Sequence, residues 1–302
     1  MFSGSGSIDG GGRAAMVSID RFIDHPRVRD SAPLRKGLAF VGGSLAALER
    51  MGTSSAAYVG HPPIFANSLP KSGTHLLLQV TRALPGTRYL GRFIATSPSL
   101  TQVERSLSDQ VRRVERILPS ETLGSHLYHS EEVSLALERI NALHLFIYRD
   151  PRDVIVSEAH YLGEMNRWHR MHKHFAKRTS ARARLELALD GLDDRYPECN
   201  ARLLPYAGWL DEPRALTIRY EDIAGENRHA VLEKIVAGFV ERGGVVNDHE
   251  GLVHALDEAI DPKKSHTFRT GGTGKWRNGL TDQEADYVTA RLRPSLDAFG
   301  YA

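Results

Sequence analysis

Residues 70–74 read Pro-Lys-Ser-Gly-Thr, where a short apolar run ends and an apolar helical pattern begins. At a strand-to-helix junction the first backbone N–H groups of the helix are unpaired, and the helix dipole favours negative charge beside them. Gly73 lets the backbone approach closely, Ser72 and Thr74 add hydroxyl donors, and Lys71 adds a point charge. Such a turn is a cradle for phosphate or sulfate. It is not a Walker loop, because Lys71 precedes Gly73 by two residues instead of following a second glycine. Two further segments carry chemistry of the same sign. Arg149 closes an apolar run, with Ser157 eight residues on. Residues 268–281 form a Gly-rich stretch flanked by cations, among them Arg269 and Lys275, and can wrap an anion with backbone amides. Each segment has a plainer reading: a capped turn, a solvated arginine with a helix-face serine, and a surface loop.

Positioning these residues requires strands that deliver the loops to one edge. Residues 62–69, 122–127 and 142–149 read as strands, and 214–223 as another strand leading into a turn. The 142–149 run is apolar at every alternation except His144, the pattern of a strand buried on both faces. Leu76, Leu77, Val80 and Leu84 recur at helical spacing after the first loop. Ser130 reads as an N-cap for a helix to about 140, with Glu131 and Glu132 in its first turn. Asp150-Pro151 reads as a cap and first helical residue, and Ile155, Ala159 and Leu162 as that helix's inner face. Residues 227–242, 249–260 and 282–299 read as further helices. Strands alternating with helices predict an α/β fold with a mostly parallel central sheet and helices on both faces. The ligand then belongs beyond the carboxyl ends of the strands.

Bulk properties narrow the function. With 302 residues, core size is no limit. A formal net charge of +2 gives no global case for nucleic acid, so any anion site is local. The single cysteine, Cys199, excludes an internal disulfide and suits a reducing, cytoplasmic setting; nothing around it suggests a nucleophile. No stretch reaches the length of a membrane span. Residues 37–48 are the longest apolar candidate, but short and broken by glycine, and read as a helix packed on the domain.

Taken together, the segments resemble the sulfotransferases that use 3′-phosphoadenosine 5′-phosphosulfate (PAPS). Pro70-Lys71-Ser72-Gly73-Thr74, continued by His75 and Leu76, resembles their 5′-phosphosulfate loop. Arg149 through Ser157 resembles their 3′-phosphate motif, and Tyr220-Glu221-Asp222 the strand-end tripeptide whose Tyr contacts adenine. Arg269, Thr270, Gly271, Gly274 and Trp276 resemble their C-terminal Arg-Lys-Gly-x-x-Gly-x-Trp loop. The motifs occur in the family's order over residues 62–281; residues 1–57 are not covered. The resemblance implies a P-loop-like sulfotransferase fold and one domain over residues 58–302; the Gly/Ser-rich start and the 37–48 run make residues 1–57 a flexible tail plus a packed helical segment. It also implies PAPS as donor, 3′,5′-bisphosphoadenosine (PAP) as product and no required metal.

The resemblance further assigns roles. Lys71 would stabilise the leaving oxygen, and Ser157 would bind the 3′-phosphate and hold Lys71 back until acceptor arrives. Ser125-His126-Leu127 aligns with the family's Thr-His-Leu, which makes His126 the base; His129 and Glu131 are the alternatives. Three positions depart from the pattern. Gly124 stands where many relatives have Lys, Leu76 where many have an adenine-stacking Trp, and Thr270 where the C-terminal loop has Lys. The acceptor is expected to be a hydroxyl on a small molecule, a glycan or lipid, or a carrier-bound metabolite. Residues 160–178, with Arg167, Arg170, Lys173, Lys177 and Arg178 among aromatics, are read as either an acceptor-side segment or a solvated face. His169, His172 and His174 fit no standard metal-ligand spacing. The rival readings are an ATP-dependent phosphotransferase and a non-catalytic nucleotide-binding module. The sequence carries no dimer signal.

Overall fold

Ile-Phe-Ala-Asn-Ser forms β1 (Ile64–Ser68), and every one of these residues is buried. A strand buried on both faces belongs at the centre of a parallel sheet. The computed structural model describes residues 47, 50–51, 53, 58–193, 196–261, 274–278 and 280–302. After β1 the chain forms α1 (Thr74–Ala83), β2 (Arg88–Ala95), α2 (Leu107–Val114), β3 (Glu121–His126), α3 (Glu131–Arg139) and β4 (Leu143–Tyr148). Next comes α4 (Pro151–His160), which runs directly into a π-helical turn over Tyr161–Met165. Then follow α5 (His172–Ala176), α6 (Ala181–Asp190), α7 (Cys199–Leu203) and a 3-10 segment, Leu204–Leu210. The last strand, β5 (Ala215–Arg219), leads into α8 (Tyr220–Ala224), α9 (Arg228–Glu241) and α10 (His249–Ala259). A 3-10 turn at Lys275–Arg277 precedes α11 (Asp282–Arg291) and α12 (Arg293–Phe299).

The sheet order is β2-β3-β1-β4-β5, and every pairing is parallel. Alternation along β1 and β4 divides the core. Phe65 and Phe146 face a cluster closed by α3, α4, α6 and α12. Ile64, Ala66, Leu145 and Ile147 face a cluster closed by α1, α9 and α10. Each of the fully buried Ile, Leu and Phe side chains contributes about 1.5–3 kcal/mol. The chain leaves β1 for the β2–β3 side and later crosses to β4. The point where strand order reverses therefore lies at the carboxyl end of β1, the usual place for a ligand in an open α/β sheet.

The caps form as the sequence predicts. Ser130 Oγ accepts from Val133 N, and Asp150 Oδ1 accepts from Arg152 N at 2.8 Å. The single helix read over 282–299 is two, joined at Leu292, with Pro294 in the first turn of α12. The strand read at the start of 214–223 ends at Arg219, and the turn read after it is the short helix α8. Strand β2 and helices α2 and α6 carry no strong sequence signal. In β2, charged and glycine residues interrupt the alternation, and the register with β3 shifts between Tyr89 and Phe93.

Candidate functional site

The loop between β1 and α1 turns sharply on two left-handed residues, Lys71 at φ 68° and Gly73 at φ 99°. Glycine is required at 73 on two counts. Its φ strains any Cβ, and a Cβ there would lie 2.7 Å from Tyr220 Cδ2. Leu69 N donates to Ile147 O at 2.9 Å and Ser72 N to Leu69 O at 3.2 Å, which ties the loop to β4 and to itself. Helix α1 starts with no side-chain cap and no acid in its first turn, where Thr74, His75 and Leu76 sit. Its positive end therefore has no carboxylate beside it, an arrangement that favours an anion. Ser72 Oγ is buried and has no hydrogen-bond partner. An orphaned hydroxyl of this kind is costly unless a ligand satisfies it.

The end of β3 supplies His126. Its Nδ1 lies 2.8 Å from the Ser68 carbonyl and 3.1 Å from Ser68 Oγ. A carbonyl only accepts, so Nδ1 carries the proton and Nε2 the lone pair. Ser68 Oγ in turn lies 2.9 Å from Thr74 Oγ1. Asn67 holds the strand end on both sides of the imidazole. Its Oδ1 accepts from Ser125 Oγ at 2.8 Å and Leu127 N at 2.9 Å, and its Nδ2 donates to Leu127 O at 3.1 Å. Burial, opposed by the Ser68 bond and aided by the Lys71 charge, pushes the His126 pKa down to about 4. The imidazole is therefore neutral at pH 7.

Gly124 has a physical reason beyond the lost lysine. A Cβ there would lie 2.8 Å from Phe93 Cδ2. The Phe93 ring fills that space from β2 and meets His126 edge-on, centroids 4.9 Å apart. The two alternative bases are engaged elsewhere. His129 Nε2 faces Glu212 at 3.8 Å, and Glu131 pairs with Arg214 at 3.0 Å.

Arg149 follows β4 and stacks its guanidinium 4.5 Å from the Tyr220 centroid. Tyr220, the first residue of α8, packs against Gly73, so its ring stands between the first loop and Arg149. Arg149 pairs with Asp153 at 3.1 Å, and Asp153 Oδ2 also accepts from Gly274 N at 3.1 Å. On the other flank of the C-terminal loop, Gln79 of α1 donates to Asp261 O at 2.9 Å. Both ends of that loop are thus anchored, one to the helix of the Lys71 loop and one to the helix after Arg149. Arg269, Thr270 and Gly271 lie outside the described residues. Trp276 is buried, with the Arg152 guanidinium 4.7 Å from its ring. Ser157 lies on α4, half-buried. Leu76 is half-buried and packs on the α1 side of the core.

Lys71 lies within electrostatic reach of Arg149 and Glu158. Burial chiefly, with Arg149 assisting and Glu158 opposing, lowers its pKa to about 8. Asp150, the carboxylate a Mg²⁺ reading would use, accepts three hydrogen bonds from the Arg152 guanidinium at 2.7–3.1 Å. Cys199 is buried, and desolvation pushes its thiol up to about 12, which removes it as a nucleophile at neutral pH. Sequence reading missed Asn67, Ser68 and Phe93. Polar residues within an apolar strand are the signal that could have found the first two.

In the segment read as either acceptor-side or a solvated face, Arg170 N donates to Ser99 O at 3.1 Å and Arg170 Nη1 to Thr101 O at 2.6 Å. The segment therefore docks on the turn after β2. Leu100, Val103, Met165 and Trp168 are exposed across these two segments, as Phe93 is beside His126. Among the described residues no helix is long and apolar enough to cross a membrane.

Comparison with known proteins agrees with this geometry. The family model for the sulfotransferase domain matches residues 61–300. A flavonol 3-sulfotransferase of Flaveria bidentis is 24% identical over 290 residues, covering 84% of this chain and 88% of its own. Among solved structures, the mouse sulfotransferase SULT7A1 complexed with PAP aligns with a TM-score of 0.52 at 24% identity, over 80% of this chain and 89% of that one. Retinol dehydratase in complex with androsterone and PAP aligns with a TM-score of 0.52 at 15% identity, over 78% and 80%. The sheet, the loop edge and the matched span together show that the chain belongs to the sulfotransferase domain family.

Proposed function

We propose that the protein transfers a sulfuryl group from PAPS to an acceptor hydroxyl, with His126 as base and Lys71 at the leaving oxygen. The observation that carries this reading is the stack of three sequence-distant motifs: Gly73 under Tyr220, and Tyr220 under Arg149 at 4.5 Å. A donor with an aromatic base and an anion at each end fits a site that offers a ring, an uncapped helix start with an orphan Ser72 hydroxyl, and an arginine.

When bound, the donor supplies an electrophilic sulfur whose bond to the bridging oxygen breaks as the new S–O bond forms. Ser72, Thr74 and the N–H groups at the start of α1 hold its phosphosulfate end. Arg149, with Ser157 and Arg269, holds the 3′-phosphate end. His126 Nε2 takes the acceptor proton, and Ser68 and Asn67 keep that nitrogen aimed. Lys71 meets the charge that develops on the bridging oxygen. An anion beside His126 favours its protonated form, so the imidazole gains basicity as the site fills. The exposed Phe93, Leu100, Val103, Met165 and Trp168 support an acceptor whose hydroxyl is carried on an apolar body.

Calorimetric titration with PAP and with ADP plus Mg²⁺ tests the donor, and a screen of hydroxyl acceptors with radiolabelled PAPS tests turnover. We expect PAP to bind more tightly than ADP by about tenfold or more, the worth of one charge-assisted hydrogen bond. Equal or tighter binding of ADP would favour the phosphotransferase reading. Tight PAP binding without transfer to any acceptor would favour the non-catalytic module.

A further inference from the structure

Lys71 has a partner that no motif announces. Its Nζ sits 3.8 Å from the centroid of the Tyr161 ring. Tyr161 lies one turn beyond Ser157 on the same face of α4, where the helix widens into its π turn. Its N–H caps α4 on Ser157 O and Glu158 O, and its own carbonyl accepts from Asn166 N at 2.9 Å. Backbone bonds on both sides thus fix the residue that carries the ring. Single π turns are frequent at functional sites because they re-aim one side chain without ending the helix.

The other charged groups near Lys71 are accounted for. Glu158 on α4 is paired with Arg202 at 2.7 Å. Arg149 after β4 and His126 at the end of β3 repel an ammonium when charged. A carboxylate in contact with Lys71 would neutralise it and compete with the donor for its N–H groups. An aromatic face attracts the ammonium electrostatically and accepts none of its charge.

We propose that Tyr161 is the positioning residue for Lys71: its ring face holds the ammonium at the leaving-group end of the site while leaving it charged and free to donate. This inference rests on the leaving-group reading of Lys71. It moves the holding role from Ser157 to the residue one turn later.

The test compares wild type, Tyr161→Phe and Tyr161→Leu in two measurements. The first is the alkaline limb of the kcat/KM profile for PAPS. The second is the titration of Lys71 followed by NMR on carbon-13-methylated lysines, with Lys71→Arg identifying the resonance. Tyr161→Leu is expected to move both titrations to lower pH by roughly 0.5–1.5 units, and Tyr161→Phe to leave both in place. At neutral pH Tyr161→Leu should lower kcat by about tenfold, with a smaller change in KM. The proposal is overturned if Tyr161→Leu leaves the Lys71 titration unmoved, or if Tyr161→Phe is as impaired as Tyr161→Leu. If the Lys71 titration moves and the rate profile does not, the contact stands; the leaving-group reading then falls, and the positioning role with it.

Discussion

His126 Nδ1–H donates a hydrogen bond to the Ser68 carbonyl at 2.8 Å, and that bond decides which nitrogen is left with its lone pair. A base on the free nitrogen is worth about 10²–10⁴-fold. His126→Ala should therefore lower kcat by that factor while PAP affinity, measured by calorimetry, stays within about twofold. Unchanged turnover would place the base elsewhere. The pH dependence follows from two groups. Under the proposed mechanism the base must be unprotonated, so kcat/KM is expected to rise as pH climbs through the His126 value of about 4. By the same proposal the lysine must be protonated, so kcat/KM is expected to fall as pH climbs through the Lys71 value of about 8. Lys71→Arg should carry the alkaline limb well above that value, because a guanidinium stays charged.

At the scale of elements, the site is an arrangement of strand ends. β3 and β4 pair in register on either side of β1, and this brings Ser125 opposite Asn67 and Ile147 opposite Ser68. Register thereby sets where His126 and Arg149 emerge relative to the Lys71 loop. The junction of β1 and α1 tolerates no side chain at 73. Gly73→Ala is expected to cost about 1–2 kcal/mol for the left-handed backbone alone. The Cβ contact with Tyr220 should then displace the ring that stands between the loop and Arg149. Urea unfolding reads the first effect and PAP affinity the second. A variant with wild-type values in both would show that the loop has another conformation. The caps at Ser130 and Asp150 were legible because a capping side chain bonds within three residues of itself. The edge strand β2 was not, since pairing with β3 across a register shift, more than local pattern, makes it a strand.

At the scale of the molecule, one buried histidine links fold to pH. His144 lies on β4 between Phe65 and Trp209, ring centroids 5.2 and 4.6 Å away, and neither nitrogen has a hydrogen-bond partner. Desolvation pushes its pKa down to about 3. In the unfolded chain it titrates near 6.5. The folded state thus resists a proton that the unfolded state accepts. Stability is fully present above about pH 6.5 and is lost as pH falls toward the folded values. His126, at about 4, adds to the same window. Each group contributes a slope of about 1.4 kcal/mol per pH unit once well below its unfolded value. Urea unfolding stepped from about pH 7 to about pH 5 should show this decline, and His144→Phe should make it shallower. An equally steep decline in that variant would show that other groups carry the acid sensitivity.

By itself the sequence determined the parallel α/β class, the three segments proposed to bind the donor, their order along the chain and the histidine at a strand end. Each of these is written in local pattern: apolar runs, capping residues, a glycine beside a lysine, an arginine closing a buried strand. Only the tertiary structure decided that Tyr220 stands between Gly73 and Arg149, that Phe93 fills the space at Gly124, that Ser68 sets the tautomer of His126, and that the Lys71 ammonium lies over the Tyr161 ring. These are contacts between residues far apart in the chain. They depend on strand order, register and the pitch of one helical turn, which no short window of sequence contains.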